Sequence, residues 1–216
     1  MANVHLTAYH TCHLQGSIKD IFEKSPYESQ PSKPQWLGNG FYFWTDSDFF
    51  AHKWGKLSDK YPKGYAITQY TIQIPQNILL DLVGNVQDQM LFREQILKYA
   101  KKFNVLAEDI NKIPISKVLA HLRLLAKSDK SKFQYRAIKA VDYSRKHTHS
   151  YPFLENGKER LVIPSRQQLY LEDLSFLQTK RLYELYQLNQ LNSYNNSYKK
   201  LNIKNLEFSY ISGEVK

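Results

Sequence analysis

The sequence predicts an α+β fold, because stretches with the two-residue repeat of strands and stretches with the 3.6-residue repeat of helices are grouped rather than strictly alternating. The chain has 216 residues, 42% of them hydrophobic and 23% charged, which is typical of a globular protein and not of a disordered one. This length is enough for one domain with a complete hydrophobic core and at most one appendage. We therefore expect one main domain.

Six strands are predicted from runs rich in β-branched and aromatic residues. Residues 65–74 alternate clearly between polar and apolar side chains, and Phe41 to Trp44 form an aromatic run preceded by two glycines. The predicted strands span residues 3–9, 41–44, 65–74, 78–82, 133–143 and 167–171.

Four helices are predicted from apolar side chains that recur at helical spacing. Ser17 is the expected N-cap of a short helix through Glu23, and Ser116 is the expected N-cap of a later helix. Between residues 25 and 35, three prolines predict a loop. The predicted helices span residues 17–23, 47–61, 86–103 and 116–126.

The composition of the chain changes near its end. From about residue 187, asparagines stand among tyrosines and lysines, which is typical of a polar tail. We therefore expect a main domain over residues 1–186, with a helical insert at 83–132, followed by an Asn/Lys/Tyr-rich tail at 187–216.

The chain is strongly basic. It has 30 Lys and Arg against 20 Asp and Glu, a net charge of +10, which favours a polyanionic partner, nucleic acid ahead of a membrane surface. The one cysteine, Cys12, excludes an intramolecular disulfide and a cysteine-based zinc cluster. Because the sequence has no run of about 20 apolar residues and no signal-peptide pattern, we expect a cytoplasmic protein with no membrane partner.

Three segments contain candidate site residues: Tyr9 to Thr11, Trp36 to Trp44, and Arg166 to Leu171. The second is the most informative. Its two glycines, Gly38 and Gly40, permit a positive φ or a close backbone approach. Side chains of the strand that follows alternate between faces, so one face can join the core while the other presents a phenol ring that stacks on a flat heterocycle.

The order of these segments resembles that of a known enzyme family. Tyr-His-Thr is followed by Gly-Ser-Ile at a helix start, a Ser before a proline-rich loop, and Leu-Gly-x-Gly-Phe-Tyr-Phe-Trp before a helix with Ala and Trp. This order is similar to that of ADP-ribosyltransferases of the diphtheria-toxin and poly(ADP-ribose) polymerase branch, the His-Tyr-Glu class. The resemblance is close over residues 8–55 and loose over 65–82 and 160–178. Bacterial members of the class include toxins and phage-defence proteins.

The resemblance implies a split pair of antiparallel sheets with flanking helices, and NAD bound as a substrate in a cleft without a metal. His10 matches the histidine that hydrogen-bonds a ribose of NAD, and Tyr42 matches the tyrosine that stacks on the nicotinamide ring. The backbone of Thr11 would face the nicotinamide amide, and Ser25 with its loop would lie over the dinucleotide. The NAD-contacting residues implied in this way are His10, Thr11, Ser25, Gly40 and Tyr42. We also expect His10 and Tyr42 to face one cleft.

The family has a third motif, a glutamate on a late strand that holds the ribose 2′-OH of NAD. This sequence departs from the family at that motif. Gln168 is the best match and would complete a catalytic set with His10 and Tyr42, although its amide carries no charge. Glu172 is the alternative, since two residues four apart on a strand share a face. Glu155 and Glu159 are the next candidates.

Other groupings of reactive side chains are less specific. Cys12 with His10 or His13 suggests a nucleophile pair, but sequence neighbours on a strand seldom point at each other. A second set, His147, His149 and Glu155, suggests a metal site, although a solvated loop is the commoner structure for such a polar stretch.

The basic residues suggest the acceptor of the transferred ADP-ribose. We predict that six lysines bind nucleic acid, and the alternative is that they only form a solvated helix surface. They are Lys98, Lys101, Lys102, Lys127, Lys130 and Lys132. We therefore expect a bacterial toxin or defence effector that transfers ADP-ribose to RNA or DNA, with an antitoxin or inhibitor protein as a further partner. The alternatives are transfer to a protein, hydrolysis of NAD alone, and nucleic-acid binding by a fold that has lost transferase activity.

Overall fold

A computed structural model of the chain describes residues 2–30, 35–57, 60–142, 149–155, 158–190 and 196–201. Within these residues, eight strands form one large mixed sheet, two strands form a small antiparallel sheet, and four α-helices occur. The predicted α+β class is therefore confirmed. Among the described residues, no helix is both long enough and apolar enough to cross a membrane.

The large sheet has the strand order β10-β9-β3-β1-β2-β8-β5-β4, and the small sheet pairs β6 with β7. The pair β4 and β5 is parallel, whereas β5 and β8, β3 and β9, and β1 and β2 are antiparallel. The large sheet is thus mixed, where the family resemblance implies antiparallel sheets. The strands are β1 (Asn3–His13), β2 (Phe41–Thr45), β3 (Gly64–Pro75), β4 (Leu79–Asp81), β5 (Ala137–Asp142), β6 (His149–Pro152), β7 (Arg160–Ile163), β8 (Arg166–Leu171), β9 (Leu177–Gln190) and β10 (Asn196–Lys200).

Capping and termination signals in the sequence explain several helix ends. Ser17 forms a capping box with Asp20 at the start of the first helix, as predicted. The side chain of Asn85 accepts hydrogen bonds from two backbone N–H groups at the start of the third helix. The helices are α1 (Ile18–Lys24), α2 (Phe49–Gly55), α3 (Val86–Lys102) and α4 (Ile115–Ser128).

The chain divides into two compact units, which differ from the division predicted from composition. Unit 1 comprises the described residues within 1–3, 28–42 and 74–174, and unit 2 those within 4–27, 43–73 and 175–216. The predicted boundary at 186/187 falls within β9, and the predicted insert at 83–132 contains α3 and α4 of unit 1.

Each unit has its own hydrophobic core. In unit 1, Leu119 and Leu122 of α4 are buried with Leu80 and Ile138 of the sheet. In unit 2, one buried cluster includes Trp44, Phe50 and Tyr65, and a second includes Ile21 and Leu185. The predicted apolar faces of the helices therefore pack as amphipathic helices do.

Two predicted helices begin or end at other residues. The fourth helix starts one residue before Ser116 and has Pro114 at its N-cap, so the predicted cap at Ser116 is wrong; proline is tolerated there because the first N–H groups of a helix have no intrahelical partner. The second helix ends at Gly55 and not at residue 61. An added Cβ at Gly55 would lie 2.3 Å from the ring of Tyr65, so the missing side chain makes room for that ring.

Some predictions fall partly outside the described residues. This applies to residues 31–34 of the predicted loop, to Tyr143, to His147, and to much of the predicted tail. Within the described residues, the strands β6, β7, β9 and β10 were not predicted from the sequence.

Candidate functional site

Tyr42 of unit 1 is anchored by the turn that precedes its own strand. Its hydroxyl donates to the carbonyl oxygen of Gly38 at 2.8 Å and accepts from the backbone N–H of Leu37 at 3.1 Å. Burial raises the pKa of Tyr42 to about 12, with the hydrogen bond from Leu37 acting in the opposite direction. The phenol therefore stays neutral, and both hydrogen bonds fix the position of the half-buried ring.

The two glycines of this turn are required by close contacts. Gly38 has a φ of +109°, and an added Cβ would lie 2.3 Å from Nη1 of Arg123. An added Cβ at Gly40 would lie 2.5 Å from the carbonyl oxygen of Leu171 in β8. Glycine is the residue that permits both the conformation and the approach, as the sequence predicted for these two positions.

A second tyrosine and an arginine fix the same turn. Tyr170 donates its hydroxyl proton to the carbonyl oxygen of Asn39 at 2.8 Å, and its ring meets that of Tyr42 edge-on at 5.5 Å. The guanidinium carbon of Arg123 lies 4.9 Å from the centre of the Tyr170 ring, a cation–π distance. Sequence reasoning missed Arg123, while Tyr170 lay unremarked within a segment already singled out.

Ser29 completes this arrangement from the preceding loop. Its backbone N–H donates to the carbonyl oxygen of Gly40 at 2.8 Å, and its hydroxyl accepts from the N–H of Gly40 at 3.1 Å. The turn is therefore held at its start, middle and end, and Tyr42 projects from a rigid support.

Gln168 lies on β8 opposite Ala140 and is 8% exposed. Its side-chain oxygen accepts a hydrogen bond from the indole Nε1–H of Trp36 at 3.2 Å. A carbonyl oxygen has two lone pairs, so this oxygen retains the capacity to accept from a ligand hydroxyl. Arg166, two residues earlier, forms an ion pair with Asp142 at 2.7 Å.

Glu172 and the reserve candidates have different surroundings. Glu172 follows the end of β8 and is exposed, and its backbone N–H donates to the carbonyl oxygen of Arg136 at 2.9 Å. Glu155 and Glu159 are also exposed, beside the small β6–β7 sheet. Of the four candidates for the third motif, only Gln168 is buried next to an aromatic donor.

His10 lies in unit 2, on β1, and is 8% exposed. Its Nε2 accepts a hydrogen bond from the backbone N–H of Tyr27 at 3.1 Å. Nε2 therefore serves as a hydrogen-bond acceptor in this geometry. The centres of the Phe43 and Tyr27 rings lie 5.9 and 6.4 Å from the centre of the imidazole.

The pairing between β1 and β2 stops immediately before His10. Ala8 is paired with Thr45 and Tyr9 with Trp44, and the register between the two strands extends no further. β1 nevertheless continues to His13, and β2 begins at Phe41. The predicted first-motif residues, His10 and Thr11, therefore lie where these two strands no longer form a ladder.

Ser25 and Thr11 use their side chains inside unit 2. The Ser25 hydroxyl lies 2.9 Å from that of Tyr70 and donates to that of Thr68 at 3.2 Å. Thr11 donates its hydroxyl proton to the carbonyl oxygen of Ala51 at 2.9 Å. Lys180, which the sequence did not suggest, donates to the carbonyl oxygen of Ser25 at 2.9 Å. The loop that starts at Ser25 is thus attached to β3 and β9.

The structure supports neither the suggested nucleophile pair at Cys12 nor the suggested metal site. Cys12 is buried, and that burial raises the pKa of its thiol to about 12, so the nucleophilic thiolate is not populated at neutral pH. The suggested metal set includes His147, which lies outside the described residues. Among the described residues, no group of three or more His, Cys, Asp or Glu side chains could hold a metal ion.

The six predicted nucleic-acid-binding lysines are all exposed. Lys102 lies 3.5 Å from Nε2 of His121 on α4, which joins the end of α3 to that helix. Lys127 follows His121 by six residues, about 9 Å along the helix axis. Lys132 lies 3.5 Å from Asp129, whose charge offsets part of its own. Lys98, Lys101 and Lys102 all fall within the last five residues of α3.

The predicted NAD-contacting and catalytic residues are divided between the two units. Gly40, Tyr42 and Gln168 belong to unit 1, and His10, Thr11 and Ser25 belong to unit 2. That His10 and Tyr42 face one cleft stays a prediction.

Comparison of the chain with protein-family models, with curated proteins and with solved structures finds no match. Any function assigned to the chain must therefore be argued from its own residues.

Proposed function

We propose that this chain is an NAD-dependent ADP-ribosyltransferase that transfers ADP-ribose to nucleic acid. The observation that carries the proposal lies in unit 1. Hydrogen bonds from Tyr170 to Asn39 and from Trp36 to Gln168 join the segment that precedes Tyr42 to the strand β8. This contact between two of the predicted motif segments supports the proposal.

Tyr42 would provide a platform for the nicotinamide ring. An aromatic ring contributes to binding by stacking, and its contribution to rate depends on holding the substrate in the reactive geometry. The hydrogen bonds to Leu37 and Gly38 restrict the Tyr42 ring before any substrate arrives. This preorganisation is the reason that we assign the ring, and not the hydroxyl, to the substrate.

Gln168 would hold a ribose hydroxyl as nicotinamide leaves. Breaking the bond between nicotinamide and ribose develops positive charge on the sugar, so groups that interact more strongly with that charge accelerate the step. An amide oxygen accepts a hydrogen bond without the charge of a carboxylate, and charge-assisted hydrogen bonds are roughly twice as strong. We therefore propose a slow transferase whose turnover depends on how the acceptor is positioned.

The choice of nucleic acid as acceptor rests on charge distribution. Residues 98–132 include nine Lys and Arg and three Asp and Glu, a net charge of +6 out of +10 for the chain. A polyanion gains most from such a segment, because each phosphate that is neutralised releases counterions.

The test is incubation of the chain with NAD labelled in its ADP-ribose portion, together with RNA, DNA or protein in separate reactions. We expect release of nicotinamide and label in one of the nucleic-acid pools. Label in protein or in free ADP-ribose would overturn the choice of acceptor but keep NAD cleavage. No nicotinamide release from a folded chain in any reaction would overturn the transferase proposal and favour a nucleic-acid-binding protein.

A pair of tyrosine variants makes this test specific for the site. Tyr42→Ala removes the proposed stacking ring, whereas Tyr151→Ala removes a tyrosine of unit 1 that is 50% exposed on β6. We expect nicotinamide release to fall in the first variant and to stay unchanged in the second.

A further inference from the structure

We propose that an exposed surface at the end of α3 binds single-stranded nucleic acid by stacking bases on Phe103. We call this surface the aromatic corner, and it consists of Lys98, Tyr99, Lys101, Lys102, Phe103 and His121. The role of the aromatic corner as the docking place of the ADP-ribose acceptor rests on the proposed function. Its ability to bind nucleic acid is tested by itself, in the absence of NAD.

Three aromatic rings form the centre of the aromatic corner. Phe103 lies 4.5 Å from Tyr99 and 5.4 Å from His121, and Tyr99 and His121 lie 5.6 Å apart, all measured between ring centres. Tyr99 also packs against the core of unit 1. The cluster therefore has a supported inner side, and Phe103 forms its outer side.

The end of α3 fixes Phe103 in this position. The N–H of Asn104 donates to the carbonyl oxygen of Lys101 at 3.3 Å, and the N–H of Val105 donates to that of Ala100 at 2.9 Å. Asn104 has a φ of +52°, so this end is a Schellman motif with asparagine in the left-handed position. Phe103 is thus the last residue before a defined reversal of the chain, not a side chain in a loose terminus.

Phe103 is nevertheless half in solvent. It is 50% exposed, and its apolar neighbours along the chain include Leu106, which is 63% exposed. A large apolar ring held rigidly in water gains free energy when a partner covers it. A nucleobase is a flat partner of suitable size, and stacking on an aromatic ring tolerates any base.

Charge identifies the partner as a polyanion. Lys98, Lys101 and Lys102 fall within about 100° of the α3 helical wheel, since each residue turns the helix by about 100°. All three are exposed, and Nζ of Lys102 lies 5.9 Å from the centre of the Phe103 ring. Lys102 thus places a positive charge beside the ring, and Lys98 and Lys101 add charge to the adjoining surface of the same helix end. An aromatic ring next to positive charge is the combination that binds bases and phosphates together.

The nearby acidic residues do not cancel this charge. Asp109 is 2.7 Å from Lys112, so the two largely neutralise each other. Glu108 is the other carboxylate in the segment that follows α3. His121, whose pKa is lowered by burial and by the adjacent Lys102, adds little positive charge at neutral pH. Glu94 of α3 is exposed four residues before Lys98 and offsets part of the charge of that lysine. Lys101 and Lys102 therefore contribute most of the positive charge.

A single strand fits this surface better than a duplex does. In a duplex the faces of the bases are stacked on one another and cannot cover Phe103, whereas an unpaired base can. Duplex DNA would contact the lysines alone and would bind more weakly.

The experiment measures binding of fluorescently labelled 12-nucleotide RNA and DNA single strands to the full chain by anisotropy, without NAD. We expect Phe103→Ala to weaken binding about 5-fold to 100-fold, the effect of losing one stacked base. Phe103→Trp should retain binding, since it preserves an aromatic face. Phe49→Ala, which removes a phenylalanine of unit 2 that is 43% exposed, is the matched control and should bind normally.

Salt dependence tests the lysines. Changing Lys98, Lys101 and Lys102 together to Gln should reduce the slope of log K against log salt by about 2, since each phosphate contact with a single strand contributes roughly 0.7. The matched control, Lys53, Lys56 and Lys63 changed to Gln, removes the same charge from exposed positions of unit 2 and should leave the slope nearer to that of the original chain.

Three results would overturn the proposal: no binding of single strands at physiological salt, a Phe103→Ala variant that melts and binds like the original chain, or a duplex that binds as tightly as the single strand. If the chain releases nicotinamide but does not bind oligonucleotides, the transferase proposal stands and the aromatic-corner proposal is wrong. The two proposals can therefore fail independently.

Discussion

The two compact units contain the predicted site residues in contrasting ways. In unit 1, Tyr42 is held through hydrogen bonds to the backbone of its own turn, and its ring is only half-buried. In unit 2, the side chains of Thr11 and Ser25 are 8% and 3% exposed, and their hydroxyls join different elements of the core. The polar groups of unit 1 orient a ring, whereas those of unit 2 connect elements.

This difference separates two roles that a sequence motif does not distinguish. A polar group that links buried elements contributes to stability, and its loss leaves a buried partner without a hydrogen bond. A group that orients a half-exposed ring contributes mainly to the geometry of a bound ligand. Substitutions in unit 1 should therefore change turnover more than stability, and substitutions of the unit 2 hydroxyls should do the reverse.

The largest expected effect is that of Tyr42→Ala on NAD turnover. Loss of the stacking ring should lower nicotinamide release by about 100-fold, the scale of misplacing a substrate relative to the reacting groups. Tyr42→Phe keeps the ring and removes only the two hydrogen bonds that orient it, so it should lower turnover less than Tyr42→Ala does and change the melting temperature little. A Tyr42→Ala variant that loses most of its thermal stability would instead show that the ring belongs to the core.

Gln168→Ala should lower turnover by about 10-fold to 1,000-fold, the scale of losing one preorganised electrostatic contact. Gln168→Glu should raise turnover, because a carboxylate stabilises positive charge on the ribose better than an amide does. Kinetics of nicotinamide release measure both.

The matched variant for Gln168→Ala is Glu172→Ala, which changes the exposed alternative candidate for the third motif. We expect it to be nearly silent. A damaging Glu172→Ala combined with a silent Gln168→Ala would transfer the assignment to Glu172, and two silent variants would direct the search to Glu155 and Glu159.

Ser25→Ala should reduce stability by about 1–3 kcal/mol, because the hydroxyls of Tyr70 and Thr68 lose a buried partner. Chemical denaturation measures this loss, and nicotinamide release per folded molecule should stay close to that of the original chain. If turnover falls while stability is unchanged, Ser25 contacts NAD directly and the contrast between the units is wrong.

The smallest effect concerns pH and α1 of unit 2. A hydrogen bond from Ser17, with further help from Lys24, lowers the pKa of Asp20 from its ordinary 3.8 to about 2. A carboxyl whose pKa is lower in the folded chain stabilises it above the ordinary value, and that contribution is lost as the pH falls from about 4 to 2. The protection of the α1 amides from hydrogen exchange, expressed relative to the intrinsic exchange rate at each pH, should therefore fall over this range. Asp20→Asn should remove that fall.

Local patterns in the sequence determined much of the fold. Alternating and aromatic runs were enough for β1, β2, β3 and β8, and the Ser17 capping box was enough for the start of α1, because these signals lie within a few residues of one another. They did not predict β9, whose polar and apolar residues form a strand through pairing with β3. Pairing with the neighbouring strands outweighs the intrinsic preference of such a segment.

The candidate site divides in the same way. The sequence by itself determined the residue types: the two glycines, the tyrosine that follows them, the histidine on β1 and the concentration of lysines over residues 98–132. Only the tertiary structure decided that Trp36 bonds to Gln168, that Tyr170 and Arg123 fix the glycine turn, and that Phe103 lies beside His121. These contacts join residues far apart in the chain, and packing, which no local pattern encodes, brings them together.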